Sequence, residues 1–571
     1  MQEIKQRFSF KNIFSSLTAF RAIQIIAILG FLIYTNSLLN NFVLDDIGQI
    51  VNNPSVRSIT SIPGLFLNHT IAQQISFYYR PLTMSIYTVI YSVFGQNPFF
   101  YHLVQLIFHI GNSILIFLIF KKFLKQNLAL LLSLLFLVHP INEGTVVYIA
   151  NLPDVLFVFF GLLSFYLLQK NYEKNNYILV NIFLSLSILS KESGVLFFII
   201  SIIYLFLFHK KKLLKQTVAS FFILLFYLSL RIISNLPFQK PALTLMVELP
   251  FLQRIINVPT IIYYYLRILI FPKDLISINT WVINRIQFAN FYFPFIIDCI
   301  FLIALFFICL FIYKKGKEKK LLLFFSLWLI LGLVIHLQII PIDETVADRY
   351  FYFPLVGLLG LIGLFFQEIK TYGLIKRLLI PFGIMTLLIL SVRSVIRNQD
   401  WKTQSILVSH DEKLSHGDYM LEYLYGLDLI TKNNDRQALP YIQESLKLYP
   451  KSSVAWCSLG VIYYRANDIW DAKKAFQESI SVGSYYGSYE NMALLLLSYG
   501  NPAETRDFIR KATSVYANSE KLWYYRIIME YRAGNRDEAL FAAKNYLILK
   551  QDNEAYNIYM AIQQNLPIKI N

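Results

Sequence analysis

The sequence predicts an all-α protein: a polytopic bundle of about eleven membrane-crossing helices followed by a tetratricopeptide-like α-solenoid. Three observations carry this expectation. Of 571 residues, 56% are hydrophobic and only 15% charged, more apolar surface than a soluble chain of this size needs. Apolar runs approaching the length of a bilayer crossing recur up to residue 392. Beyond residue 397 the sequence becomes amphipathic and helical in period, with a repeat of its own.

The apolar runs fall at 22–39, 99–120, 127–138, 154–169, 177–189, 194–208, 216–233, 293–313, 321–340, 353–366 and 378–392. The shorter ones require tilt or extension into polar sequence. The charges orient them. With a cytoplasmic N-terminus, the inner loops hold Lys121, Lys122 and Lys125; Lys170 and Lys174; Lys210, Lys211, Lys212 and Lys215; the 314–320 cluster including Lys317; and Lys370, Lys376 and Arg377. The outer loops are acidic, so the alternation follows the positive-inside rule. This placement accounts for the formal charge of +17 without nucleic acid. The segment 254–271, with Tyr263, Tyr264, Tyr265 and Arg267, suits an interfacial or re-entrant helix in a long outer segment. Cys299, Cys309 and Cys457 form no metal-ligand or disulfide pattern, and no cleavable signal is legible near the N-terminus.

The second region repeats. Trp456, Leu459, Gly460, Tyr463, Ala472 and Phe476 follow the tetratricopeptide spacing. Gly426 to Gly460 and Ala438 to Ala472 are each 34 apart by subtraction, and weaker copies centre on Ala503 and Ala539. Three to four helical hairpins are expected. The domains are therefore 1–397, in the membrane, and 398–571, a repeat domain on the same outer side as the first loop.

That first loop places Asp45 and Asp46 at the mouth of the first crossing, where carboxylates are costly to dehydrate. His69, Tyr78 and Arg80 follow in the same loop. Other outer segments add His139 and Glu143, Asp154, Lys191 and Glu192, then Asp343, Glu344, Asp348 and Arg349, and finally Arg393 and Arg397. A carboxylate there can take the proton of an acceptor hydroxyl, and arginine or lysine can hold a departing phosphate. The set suits transfer of a sugar from a lipid phosphate to a hydroxyl. Each residue also has a plainer role open to it. Lys191 and Glu192 can pair with each other, Arg393 and Arg397 can anchor the last helix, and His102 and His109 can pack. No phosphate-binding glycine loop or nucleophile elbow is present.

Asn41-Phe42-Val43-Leu44-Asp45-Asp46, Tyr79-Arg80-Pro81-Leu82-Thr83, His139-Pro140, Lys191-Glu192-Ser193-Gly194, Asp343 through Tyr350 and Asn398-Gln399-Asp400-Trp401 occur in one order. With the C-terminal repeats, this order resembles the transmembrane and tetratricopeptide-repeat O-mannosyltransferases over nearly the whole chain. The resemblance implies a GT-C glycosyltransferase fold, a polyprenyl-phosphate sugar donor such as a mannosyl one, and inversion at the anomeric carbon. It places the catalytic base at Asp45 or Asp46. Arg80, Lys191, Arg349 and Arg393 are then the candidates for the donor phosphate, with His139, Glu143, Asp154, Glu192, Glu344 and Asp348 as supporting polar groups. No metal or cofactor is expected. The expected partners are membrane lipid, the lipid-linked sugar and a protein Ser/Thr acceptor held by the repeats. The chain departs from the family where it reads Glu143-Gly144 after His-Pro, and Leu152-Pro153 before Asp154. The same chemistry on a glycan or lipid acceptor, and a non-catalytic repeat scaffold, are the competing readings. Lys-, Asn- and Ile-rich usage points toward a bacterial inner membrane, with the endoplasmic reticulum the alternative in a eukaryote.

Overall fold

A computed structural model describes residues 18–67, 78–170, 174–234, 244–283, 285–316, 318–368, 373–415 and 417–568. His69, Lys317 and Lys370 lie outside them. Among the described residues every regular element is helical and there is no strand. Contacts divide the chain into two compact units, the first running to Leu414 and the second beginning at Ser415. The helices Gly373–Asp400 and Gln404–Leu414 therefore belong to the membrane unit. The fully buried side chains of Arg397 and Asp411, joined at 3.3 Å, tie them into it.

Among the described residues of the first unit six helices are long and apolar enough to cross a membrane: Ala19–Leu39, Pro98–Phe120, Ile149–Lys170, Lys210–Ile233, Phe288–Lys315 and Asp348–Glu368. A seventh is added if Gln126–Val138 and Pro140–Val147, bent by 50° at His139-Pro140, form one broken span. The remaining predicted runs are helical but differ in length or extent. Those at 177–189 and 194–208 become the short apolar helices Asn176–Ser190 and Glu192–Phe208. The run at 321–340 shortens to Lys319–Val334, and that at 378–392 lies inside Gly373–Asp400. Pro81–Phe94 is an apolar helix that the sequence reading left in the first loop, and 254–271 forms the helix Phe251–Ile270 with Pro259 inside it.

Side-chain exposure separates lipid-facing from packed helices. Along Phe288–Lys315, Ile300, Ile303, Phe306 and Phe307 are each more than half exposed. That is costly in water and favourable in hydrocarbon. Tyr352–Glu368 is instead buried along most of its length, and a Cβ on Gly357 would meet Leu329 N at 2.6 Å, so only glycine admits this close helix approach.

The described residues of the second unit form four helical hairpins and a closing helix. The pairs are Tyr419–Thr431 with Asp435–Leu448, Ser453–Arg465 with Ile469–Val482, Tyr486–Tyr499 with Pro502–Val515, and Glu520–Arg532 with Arg536–Lys550; Asn553–Gln563 closes the array. First helices begin at 419, 453, 486 and 520, spacings of 34, 33 and 34 by subtraction. Asp418, Ser452 and Ser519 cap three of them with side-chain oxygens. Asn433 and Asn467 take left-handed φ values of 58° and 61° in equivalent hairpin turns, a conformation asparagine tolerates. A Cβ on Gly460 would lie 2.5 Å from Phe476, which is why the repeat keeps glycine there. This is the predicted tetratricopeptide-like solenoid.

Candidate functional site

The candidate residues sit where helices start or break, because a helix end leaves backbone groups free to bend the chain. Pro81 opens the helix Pro81–Phe94 and sets Arg80 at its N-cap. Lys191 is extended, at φ −157°, between two apolar helices. Gly194 lets that turn fold back, since a Cβ there would meet the backbone of Ser187 at 2.5 Å. Asp348 and Arg349 lie in the 3-10 turn Asp348–Phe351 that leads into Tyr352–Glu368.

The adjacent acids have opposite environments. Asp46 is fully buried; its carboxylate accepts the amide hydrogens of Val43 at 3.0 Å and Ala150 at 2.7 Å. Burial pushes its pKa well above the usual carboxylate range, against those two amides. Asp45 is exposed, while its backbone N–H donates to the Tyr148 hydroxyl at 2.9 Å. The backbone leading into the two acids is forced: Leu44 has φ 48°, a left-handed value that a leucine adopts only where its surroundings impose it.

Three cations of the predicted phosphate set form buried or half-buried pairs. Lys191 Nζ is 2.6 Å from Asp154, Arg349 is 2.9 Å from Glu344, and Arg80 is 3.2 Å from Glu192. Burial lowers the Lys191 ammonium below its ordinary value, opposed by Asp154, and raises the Glu344 carboxyl, opposed by Arg349. Lys191 therefore pairs with Asp154, and Glu192 with Arg80, rather than Lys191 with Glu192. Asp154 lies within electrostatic reach of both Arg80 and Arg349, and Asp45 within reach of Glu344. Asp45, Arg80, Asp154, Lys191, Glu192, Glu344 and Arg349 thus make one electrostatic cluster.

Other predicted residues have different employment. Arg393 donates to the carbonyls of Pro272 and Lys273 at 2.8 and 2.7 Å, an anchoring role instead of a free phosphate ligand. His139 accepts from the Ile141 amide at 3.1 Å and donates to the Leu269 carbonyl at 3.0 Å, so both ring nitrogens are used in holding the chain break. Glu143 accepts from Trp401 Nε1 at 3.0 Å beside Arg397, and Asp348 accepts from the Tyr264 hydroxyl at 2.7 Å. His102 and His109 bond to Asn40 O and to Tyr352, in packing roles. A water-sized cavity of about 20 Å³ lies among Tyr148, Asn151, Ser277, Asp348, Arg349 and Trp401. Among the described residues no group of three His, Cys, Asp or Glu has metal-holding geometry.

Sequence reasoning missed Arg231 and Tyr148. Arg231 ends an apolar helix 3.8 Å from Glu192, and a charge in such a run was the available signal. Tyr148, one of 38 tyrosines, carried none.

Helical membrane unit, clustered acids and cations at helix ends, and a tetratricopeptide-like solenoid define a multi-pass membrane protein with C-terminal helical repeats. Comparison with known proteins narrows that class. Residues 80–235 match the family described as dolichyl-phosphate-mannose-protein mannosyltransferase, and residues 395–493 match that of anaphase promoting complex subunit 8 / Cdc23. The human protein O-mannosyl-transferase TMTC3 is 24% identical over 496 residues, 79% of this chain and 54% of that protein. A Caenorhabditis elegans protein O-mannosyl-transferase is 26% identical over 464 residues, 75% of this chain and 63% of its own length. The chain thus spans between half and two thirds of these relatives. Among solved structures, the tetratricopeptide protein YrrB covers 28% of this chain and 82% of its own at 15% identity and a TM-score of 0.25. The repeat assignment rests on the 34-residue spacing, not on that superposition. The chain resembles the transmembrane and tetratricopeptide-repeat O-mannosyltransferases, as its ordered motifs imply.

Proposed function

We propose that this chain is an inverting membrane glycosyltransferase that moves mannose from a polyprenyl-phosphate donor to a protein Ser or Thr hydroxyl on the non-cytoplasmic face. The observation that carries the reading is the exposed Asp45 carboxylate, on a backbone fixed by Tyr148 and within electrostatic reach of Glu344, which pairs with Arg349 in the cluster that also holds Arg80 and Lys191. Mannose and a protein acceptor are supported by the similarity to protein O-mannosyl-transferases. The alternation of basic inner and acidic outer loops supports the side.

In the proposed step the acceptor oxygen attacks the anomeric carbon as the bond from that carbon to the phosphate oxygen breaks. The electron pair leaves with the phosphate, and the acceptor proton passes to Asp45. Arg80, Lys191 and Arg349 stabilise the charge growing on the phosphate. Their carboxylate partners hold each cation in place before the donor arrives, in surroundings where an unpaired buried charge is costly. Asp46 stays out of the chemistry and fixes the loop. The repeats hold the acceptor chain.

The test is reconstitution of the full chain in liposomes with radiolabelled mannosyl polyprenyl phosphate and the proteins and lipids of its host. Label on Ser or Thr supports the reading. Label confined to glycan or lipid moves the acceptor class, and no transfer favours the scaffold.

A further inference from the structure

Besides the bonds between Val43 and Asp46 within it, the loop carrying Asp45 is held from outside itself. Asn40 Nδ2 donates to the Asn398 carbonyl at 3.0 Å, the Asn41 N–H to the Lys402 carbonyl at 3.1 Å, and the Leu44 N–H to Gln404 Oε1 at 3.3 Å. The Asp45 N–H donates to the Tyr148 hydroxyl, and the Tyr148 ring stacks on Trp401 with centroids 5.3 Å apart and planes 27° apart. Trp401 in turn donates Nε1–H to Glu143, whose carboxylate lies 3.7 Å from the fully buried Arg397. Three of these four tethers therefore end in the corner 398–404, where the helix Gly373–Asp400 gives way to Gln404–Leu414, and the fourth rests on that corner through Trp401; the bond of Asp46 to Ala150 is a further tie, to the span Ile149–Lys170. Leu44, at φ 48°, lies between these contacts and the bond of Asp46 to the Val43 amide.

We propose that the 398–404 corner is the positioning element for the base, with Gln404 and Trp401 as its working residues and Tyr148 as the intermediary. The proposal rests on the reading of Asp45 as the base. None of the three residues is assigned to the reacting atoms; they act through the backbone of 44–45. An exposed carboxylate on an untethered loop samples many positions, and proton transfer needs one. The tethers supply that one position relative to Arg349 and Glu344. A misplacement of about 1 Å in such a site costs on the order of 100-fold in rate. The corner does this without adding a charge to the site, because it reaches the loop through hydrogen bonds between amide groups and, by way of Tyr148, one ring stack. Arg397, balanced by Glu143, Asp400 and Asp411, locks the corner from beneath.

The same contacts would exist if the corner merely stabilised the fold, so the test must read coupling to Asp45. Tyr148→Phe and Gln404→Ala are made in the full chain, alone and combined with Asp45→Asn, and sugar transfer is followed from a mannosyl polyprenyl phosphate. The expected result is a fall in kcat of about 10- to 100-fold for each single variant with donor KM unchanged. In the Asp45→Asn background neither substitution should lower the residual rate further, because residues acting through one group are not additive. Trp401→Phe, which keeps a ring under Tyr148, should recover most of the turnover that Trp401→Ala loses. Losses that multiply in the Asp45→Asn background, wild-type turnover in both single variants, or no recovery in Trp401→Phe would overturn the positioning role while leaving the base in place. Wild-type turnover in Asp45→Asn itself would overturn both.

Discussion

Asp46 Oδ1 accepts the amide hydrogen of Ala150 at 2.7 Å, across 104 positions of sequence. With its bond to Val43, this makes Asp46 the knot that ties the first loop to the start of the span Ile149–Lys170. A carboxyl group spent on two amides and removed from solvent is poorly placed to receive a proton from an acceptor. Its neighbour Asp45 has the opposite exposure and is for that reason the proposed base.

The environment of Asp46 predicts a pH dependence of stability. Its folded pKa is raised by burial above the ordinary value of 3.8, so the folded state binds the proton more tightly than the unfolded chain. The stabilisation is complete below the unfolded value and is lost as pH rises through the raised folded value. Asp46→Asn removes the titration. The wild-type Tm, relative to Asp46→Asn, should therefore fall as pH rises from near 3.8 upward. A difference that stays flat or grows with pH would show that burial does not govern this carboxyl.

The Lys191–Asp154 pair separates folding from function. Lys191→Met leaves Asp154 buried and unpaired, which should cost about 3–5 kcal/mol. Lys191→Met with Asp154→Leu removes both charges and should regain most of that stability. Transfer should stay low in the double variant, because the phosphate loses a cation that no apolar side chain replaces. Recovery of turnover together with stability would make the pair purely structural.

Topology is testable without activity. Cysteines placed at Lys319 and Lys447, in a background lacking the native three, should react with an impermeant reagent from opposite sides of the membrane. Labelling of both from one side would contradict the outer placement of the repeats.

Much of this architecture was legible in sequence, because apolar runs and a 34-residue repeat are local signals. Gly426, Gly460, Ala438 and Ala472 marked the hairpins, and the helices found there close on those residues. The site was legible as a set of residues but not as a set of partners. Lys191 adjoins Glu192 in sequence, yet an extended backbone at Lys191 sends their side chains to Asp154 and Arg80. Arg393 read equally as a phosphate ligand or as an anchor for the last helix, and the carbonyls of Pro272 and Lys273 that make it an anchor lie about 120 positions away. The contrast in environment between Asp45 and Asp46 depends on Ala150 and Tyr148, which nothing in a single sequence joins to the first loop.

The most direct test of the account is sugar transfer by the purified full chain from a mannosyl polyprenyl phosphate, compared between Asp45→Asn and the wild type. Asparagine keeps the shape of the side chain and cannot take the proton. The account predicts a loss of about 100- to 10,000-fold in turnover, with the wild-type Tm and donor binding retained. Wild-type turnover in Asp45→Asn would contradict it.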